Sequence, residues 1–99
     1  MFTVRVAARV RPEGRKAFVA QLKKEEHEVP ESFTGCERFS VYSDPAEPTN
    51  VLLYEEWQSR DAFDAYRTSD YFEASGAILF PLIDGAPDSA YFEAERVGP

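Results

Sequence analysis

The sequence predicts an α+β fold of order βαββαβ, built on one four-stranded antiparallel sheet. Three observations carry that expectation. Four segments alternate apolar and polar residues with the period of a strand. The stretches between them carry helical stripes and capping residues. The segment from Asn50 to Trp57 is apolar on both faces, with Val51, Leu53, Glu55 and Trp57 pointing one way and Leu52, Tyr54 and Glu56 the other. A chain of 99 residues covers one such face with its own helices, and a second copy is the simplest cover for the other. One domain spanning residues 1–99 is expected.

The elements follow in order. Phe2 to Val10 alternates, with Phe2, Val4, Val6, Ala8 and Val10 on one side and Thr3, Arg5, Ala7 and Arg9 on the other. Pro12, Glu13 and Gly14 form a turn. From about Arg15 to Val29, the residues Phe18, Val19, Leu22 and Val29 make a helical stripe that Pro30 is expected to stop. Lys23, Lys24 and the acidic run after them read as a charged helix face. Ser32 to Gly35 is loop, and Cys36 to Ser43 is a second strand, with Glu37, Phe39 and Val41 opposite Cys36, Arg38, Ser40 and Tyr42. The turn-rich segment 44–49 leads as a hairpin into the strand at 50–57. Ser59 caps a short helix with Asp61 in its first turn, and Ser69 caps another with Asp70 and Glu73 at its positive end. Pro81 ends or kinks that helix, Gly85 to Asp88 is loop, and Ser89 to Val97 is a last strand. This is the split βαβ, or ferredoxin-like, order. Right-handed crossovers put both helical segments on one face of the sheet. Whether Phe2, Val4 and Val6 or Arg5 and Ala7 lie under them stays open.

Composition excludes several function classes. The apolar fraction of 43% and charged fraction of 29% are those of a globular protein, and the 14% of aromatic residues suits a dense core or an aromatic-lined pocket. A net charge of −7 argues against nucleic acid and against an anionic membrane surface. Cys36 is the only cysteine, which leaves no internal disulfide and no cysteine-based metal cluster. Arg5 and Arg9 interrupt the first strand, so no signal peptide is read, and no apolar stretch has the length of a membrane span. The expected location is a reducing cytoplasm. One histidine and one cysteine far apart make no zinc site, and neither a nucleophile elbow nor a phosphate-binding or dinucleotide glycine loop occurs. No metal or other cofactor is expected.

A family resemblance rests on several pieces in a fixed order. They are Val10-Arg11-Pro12-Glu13-Gly14 followed by Phe18; Gly35-Cys36 opening the second strand, with Tyr42 near its end; Tyr54-Glu55-Glu56-Trp57; Ala62-Phe63-Asp64-Ala65-Tyr66; and Ser69-Asp70-Tyr71-Phe72. Together, from Thr3 to Phe92, they resemble the antibiotic biosynthesis monooxygenase (ABM) domain family. The resemblance implies a ferredoxin-like subunit that pairs sheet to sheet into a dimeric α+β barrel, with a pocket between helices and sheet. It also implies a range of activities. Some members oxidise phenolic compounds to quinones without metal or flavin, some degrade haem, some isomerise small sugar-derived phosphates, and others have no known substrate. Against the polyketide oxygenases, Trp57 matches but Leu53 stands in place of an asparagine. Against the haem-degrading branch, Gly76 stands in place of the iron-ligating histidine. Many other members carry histidine at the position of Tyr66.

The candidate catalytic residues are Trp57, Tyr66, Glu55 and His27. Trp57 reads as a platform that stacks on a planar substrate, or as a core tryptophan. Tyr66 orients a substrate hydroxyl, or is a rim tyrosine. Glu55, on the face of Trp57, is a general base if buried, or else one half of a salt bridge. His27 is the only imidazole, poised for proton transfer or simply solvated. Leu53, Phe63, Tyr71, Phe72 and Phe80 are candidate substrate-binding residues, or plain core. The activity expected is a cofactor-independent monooxygenase acting on a phenolic, quinol or anthrone-type small molecule. The alternatives are a non-oxidative isomerase of the same fold and a non-catalytic dimeric binding or stress protein.

Overall fold

A computed structural model describes all residues from Met1 to Pro99. The elements are β1 (Phe2–Arg9), α1 (Arg15–Ser32), β2 (Cys36–Ser43), β3 (Asn50–Trp57), α2 (Arg60–Arg67), α3 (Asp70–Leu79) and β4 (Asp88–Glu93), with 3₁₀ turns at Pro12–Gly14 and Phe80–Leu82. The four strands form one sheet in the order β2-β3-β1-β4, every pair antiparallel, which is the expected ferredoxin-like arrangement.

The structure decides which face of β1 is covered. Phe2, Val4, Ala8 and Val10 are buried beneath the helices, while Arg5 and Arg9 are exposed on the other face. In register with this apolar set stand Val51, Leu53, Glu55 and Trp57 of β3. Burial of a large apolar side chain contributes roughly 1.5–3 kcal/mol, so this face and the helices over it form the core. On α1 the buried positions are Phe18, Leu22, Glu25 and Val29. The Glu26 side chain ties α1 to the sheet by accepting the Val41 N–H of β2 at 2.8 Å.

Both predicted caps form. Ser59 Oγ accepts the Ala62 N–H at 3.1 Å and Ser69 Oγ accepts the Phe72 N–H at 3.2 Å, each satisfying a free helix N-terminus. At the start of β2, Gly35 has φ +91°, and a Cβ there would lie 2.7 Å from that of Ala62. Only glycine lets α2 approach this closely.

Several expected boundaries are corrected. Helix α1 does not stop at Pro30 but runs on to Ser32. The proline removes only the bond to the Glu26 carbonyl, and helical pairing resumes with Phe33 N–H donating to Val29 O at 3.0 Å. β1 ends at Arg9 because Val10 leaves the ladder to bridge Ile83. β4 ends at Glu93, not Val97; past it Ala94 alone pairs with Met1, donating its N–H to Met1 O at 2.8 Å and accepting from the Met1 amino group at 2.7 Å. An irregularity between Cys36 and Arg38 turns Cys36 to the side of Phe39, opposite Trp57, and breaks the alternation read from the sequence. No helix is long and apolar enough to cross a membrane.

Candidate active site

Between the helical layer and the sheet lies a cavity of about 200 Å³. A volume of this order is comparable to the roughly 150 Å³ of an apolar cavity that holds benzene, so there is room for one ring with small substituents. The sheet supplies Val4, Val6, Val51 and Leu53, and the helices supply Leu22, Phe63, Phe72 and Leu79. Phe80 and Tyr91 also line the cavity and are exposed, which places its mouth beside them. Few polar groups interrupt this apolar lining. Besides Tyr91 they are Glu25 from α1, Glu55 from β3, Tyr66 from α2, Ser75 from α3 and Ser89 from β4, and no Lys, Arg or His contributes to the wall.

Glu55 is 3% exposed. It is held by its neighbour two residues along the same strand face, since Trp57 Nε1 donates to Glu55 Oε1 at 2.8 Å. Burial pushes the Glu55 carboxyl up to about 7, the Trp57 donor partly offsets this, and the charge of Glu25 adds to the rise. A carboxyl with that value is poised for proton transfer near neutral pH.

Glu25 is 1% exposed. Its Oε2 accepts two hydrogen bonds, from Gln21 Nε2 and from Ser75 Oγ, both at 2.8 Å. Burial raises its carboxyl above the ordinary value, against the lowering effect of these two donors. Sequence reasoning missed this residue by assigning it to a charged helix face. The available signal was its place on the stripe Phe18, Leu22, Glu25, Val29, which follows the helical repeat. Ser75, its partner from α3, was missed too, and nothing local marks it.

Tyr66 is 2% exposed and packed on several sides by rings. It stacks on Trp57 at 5.1 Å and 25°, and meets Phe33 and Phe72 edge-on at 5.1 and 5.2 Å. Its hydroxyl has no hydrogen-bond partner in the chain. Since no fully enclosed polar side-chain atom lacks a partner, the hydroxyl keeps some exposure, and Tyr66 is one of the residues that line the cavity. Glu25 Oε1 and Glu55 Oε2 likewise accept nothing from the chain and keep some exposure, on residues that line the same cavity. Burial, with Glu55 and Glu25 nearby, drives the Tyr66 phenol far above its usual value, so it stays neutral.

Of the sequence candidates, the structure brings Glu55, Tyr66, Leu53, Phe63, Phe72 and Phe80 to one cavity. Trp57 is fully buried behind Tyr66 and does not line the wall, so it positions Glu55 rather than stacking on a ligand. His27 is exposed on α1 and outside the cavity, because the helical repeat that buries Glu25 and Val29 turns position 27 outward. Tyr71 is also outside, with its hydroxyl donating to Glu28 Oε1 at 2.8 Å.

Residues 1–77 match the family model described as antibiotic biosynthesis monooxygenase. The chain belongs to that family. Solved structures agree with this ABM assignment in fold. A protein of Caulobacter crescentus CB15, named as a candidate antibiotic biosynthesis monooxygenase, is 25% identical with a TM-score of 0.88, over 96% of this chain and 90% of its own. A conserved protein of Methanosarcina mazei Go1 is 23% identical with a TM-score of 0.85, over 95% and 92%. The Rv0793 protein of Mycobacterium tuberculosis is 20% identical with a TM-score of 0.86, over 99% and 98%. These alignments extend the likeness of fold past residue 77, where the family match ends. No curated protein sequence matches the chain.

Proposed function

We propose that this ABM-family chain is a cofactor-independent monooxygenase that oxidises a one-ring, electron-rich phenol or quinol in the cavity between helices and sheet. The observation that carries the reading is the Glu55 carboxyl, enclosed among apolar walls with one oxygen free and its value pushed up to about 7. Glu55 takes the proton of the substrate hydroxyl, and the resulting phenolate is electron-rich enough to reduce oxygen. For a phenol with an open para position the balance is one phenol and one O₂ giving one quinone and one water. The substrate supplies all the electrons. Leu53, Phe63 and Phe72 hold the ring and keep water away, Tyr66 orients the hydroxyl, and Trp57 fixes the base. The cavity volume favours one ring, since a three-ring anthrone would protrude past Phe80.

The test is oxygen uptake with hydroquinones and simple phenols by metal-free, flavin-free protein. Uptake that Glu55→Gln reduces by 10²-fold or more, about the contribution of a positioned base, supports the reading. Uptake unchanged in Glu55→Gln removes Glu55 as base. A second reading, a proton-transfer isomerase, is favoured by two carboxyls, Glu25 and Glu55, facing one cavity. It requires turnover without oxygen. As part of the proposal, a second copy of the chain covers the open sheet face, where Leu52 and Tyr54 are half-buried and Tyr42 and Phe92 exposed.

A further inference from the structure

We propose that the cavity is a receptor for a primary ammonium group carried on a small aromatic body, with Glu25, Glu55 and Tyr66 as the three acceptors. The inference rests only on the cavity's being a ligand site and does not depend on oxygenase chemistry.

Three polar atoms with no partner in the chain belong to residues that line one mostly apolar space and lie near enough to feel one another's charge: Glu25 Oε1 from the helical wall, Glu55 Oε2 from the sheet, and the Tyr66 hydroxyl from α2. Each belongs to a side chain more than nine-tenths buried. The other oxygen of each carboxyl is already engaged, Oε2 of Glu25 by Gln21 and Ser75 and Oε1 of Glu55 by Trp57, so the free oxygens are the ones left for a ligand. A primary ammonium presents three donors and no acceptor, which matches three free acceptors. Buried carboxylates are ordinarily paired with a cation. None comes from the cavity wall, where no Lys, Arg or His stands, and Lys24 lies mostly exposed on the outer side of α1. A bound ammonium supplies the missing charge. The rings of Phe63 and Phe72 with Leu53 and Leu79 leave an apolar slot for its aromatic body.

The pH dependence follows from the groups around the pair. Glu55 faces Glu25 across the cavity, Tyr66 from α2 and Cys36 from β2; Glu25 faces Glu28 and Lys24 on its own helix, Ser75 on α3, and Tyr66 and Tyr71. Burial keeps both phenols and the Cys36 thiol protonated, the thiol up to about 12, so through neutrality only the carboxyls change charge inside the cavity. As pH falls through about 7, Glu55 takes a proton and the site loses that carboxyl's countercharge.

The experiment titrates the full chain with benzylamine, benzyl alcohol and benzoate by calorimetry, in about 0.15 M salt to screen the exposed acids. The three probes share a ring and differ in the head group. At pH 8 benzylamine is expected to bind about tenfold or more tighter than benzyl alcohol, with no binding of benzoate. The amine's affinity falls several-fold between pH 8 and pH 6. Glu25→Gln weakens the amine by about tenfold and the alcohol by less, and Glu55→Gln flattens the pH slope, leaving only the part that Glu25 contributes. Equal binding of amine and alcohol, no amine binding at millimolar concentration, or a flat pH profile overturns the proposal. The wild-type ranking and slope decide it even where a variant fails to fold. Amine binding without oxygen uptake on phenols sinks the oxygenase reading alone, whereas oxygen uptake with no preference for the amine sinks this one alone.

Discussion

Trp57 donates its indole N–H to Glu55 at 2.8 Å, from a position two residues along the same strand and fully buried behind Tyr66. This bond opposes the rise that burial imposes on the Glu55 carboxyl. Trp57→Phe removes the donor but keeps a ring, so the carboxyl rises further above about 7. A general base works only when deprotonated. The rising limb of the pH–rate profile therefore moves to higher pH, and turnover near pH 7 falls. Urea unfolding of the same variant should show a loss of about 2 kcal/mol, from the smaller ring and the stranded acceptor. A profile that keeps its wild-type position removes Trp57 from any role in tuning Glu55.

Glu55 also links stability to pH. Its ordinary value is 4.5 and its value in the fold about 7. Between these, the folded chain holds a proton that the unfolded chain has released, so stability falls as pH rises through this window. The full effect is on the order of 3 kcal/mol, present below about 4.5 and lost above about 7. Glu25 shifts in the same direction and steepens the slope. Thermal melts at pH 5 and pH 8 check this: the wild type melts lower at pH 8, and Glu55→Gln narrows the difference. Equal melting temperatures for the wild type would mean that Glu55 is solvated.

Tyr66 and His27 separate cavity chemistry from surface chemistry. Tyr66→Phe keeps the ring that stacks on Trp57 and deletes a hydroxyl with no partner in the chain, so stability should change by less than about 1 kcal/mol. Turnover or ligand affinity should still fall several-fold, because the hydroxyl faces the cavity. His27→Ala, on the exposed side of α1, should leave turnover unchanged and stability within about 0.5 kcal/mol. A loss of turnover in His27→Ala would place the active site elsewhere.

The sequence made some of this legible and hid the rest for definable reasons. Ser59 and Ser69 were readable as caps because a cap is satisfied three residues away, within the local pattern. The strands were readable because alternation is also local, and their βαββαβ succession with the helices pointed to the ferredoxin-like sheet. Pro30 misled because packing of the buried Val29 carries α1 past it. Glu25 was hidden because a carboxylate reads as solvated unless its partners are known, and one of these, Ser75, lies 50 residues away. Trp57 was placed on the correct face, but Tyr66, which arrives from α2 and closes over it, decides that its N–H serves Glu55 rather than a ligand.

The open face of the sheet carries the last prediction. There Arg38 pairs with Glu56 at 3.3 Å and the Tyr54 hydroxyl donates to Glu56 at 2.8 Å, so its charges are arranged along an ordered surface. Leu52 sits between Ala7 of β1 and Tyr42 of β2 and gives this face an apolar centre. A stable pair of chains buries about 800 Å² on each partner, and a four-stranded sheet face is of that scale. Sedimentation of the 11.2 kDa chain at micromolar concentration should give twice the monomer mass. Leu52→Asp places a like charge on both partners at the centre of such an interface, and the variant should sediment as a folded monomer. Because Leu52 points away from the cavity, ligand binding should survive wherever the monomer's site is complete. A wild-type chain that sediments as a monomer would show that the sheet tolerates solvent on this face, and the covered-sheet argument would then fail while the cavity argument stands.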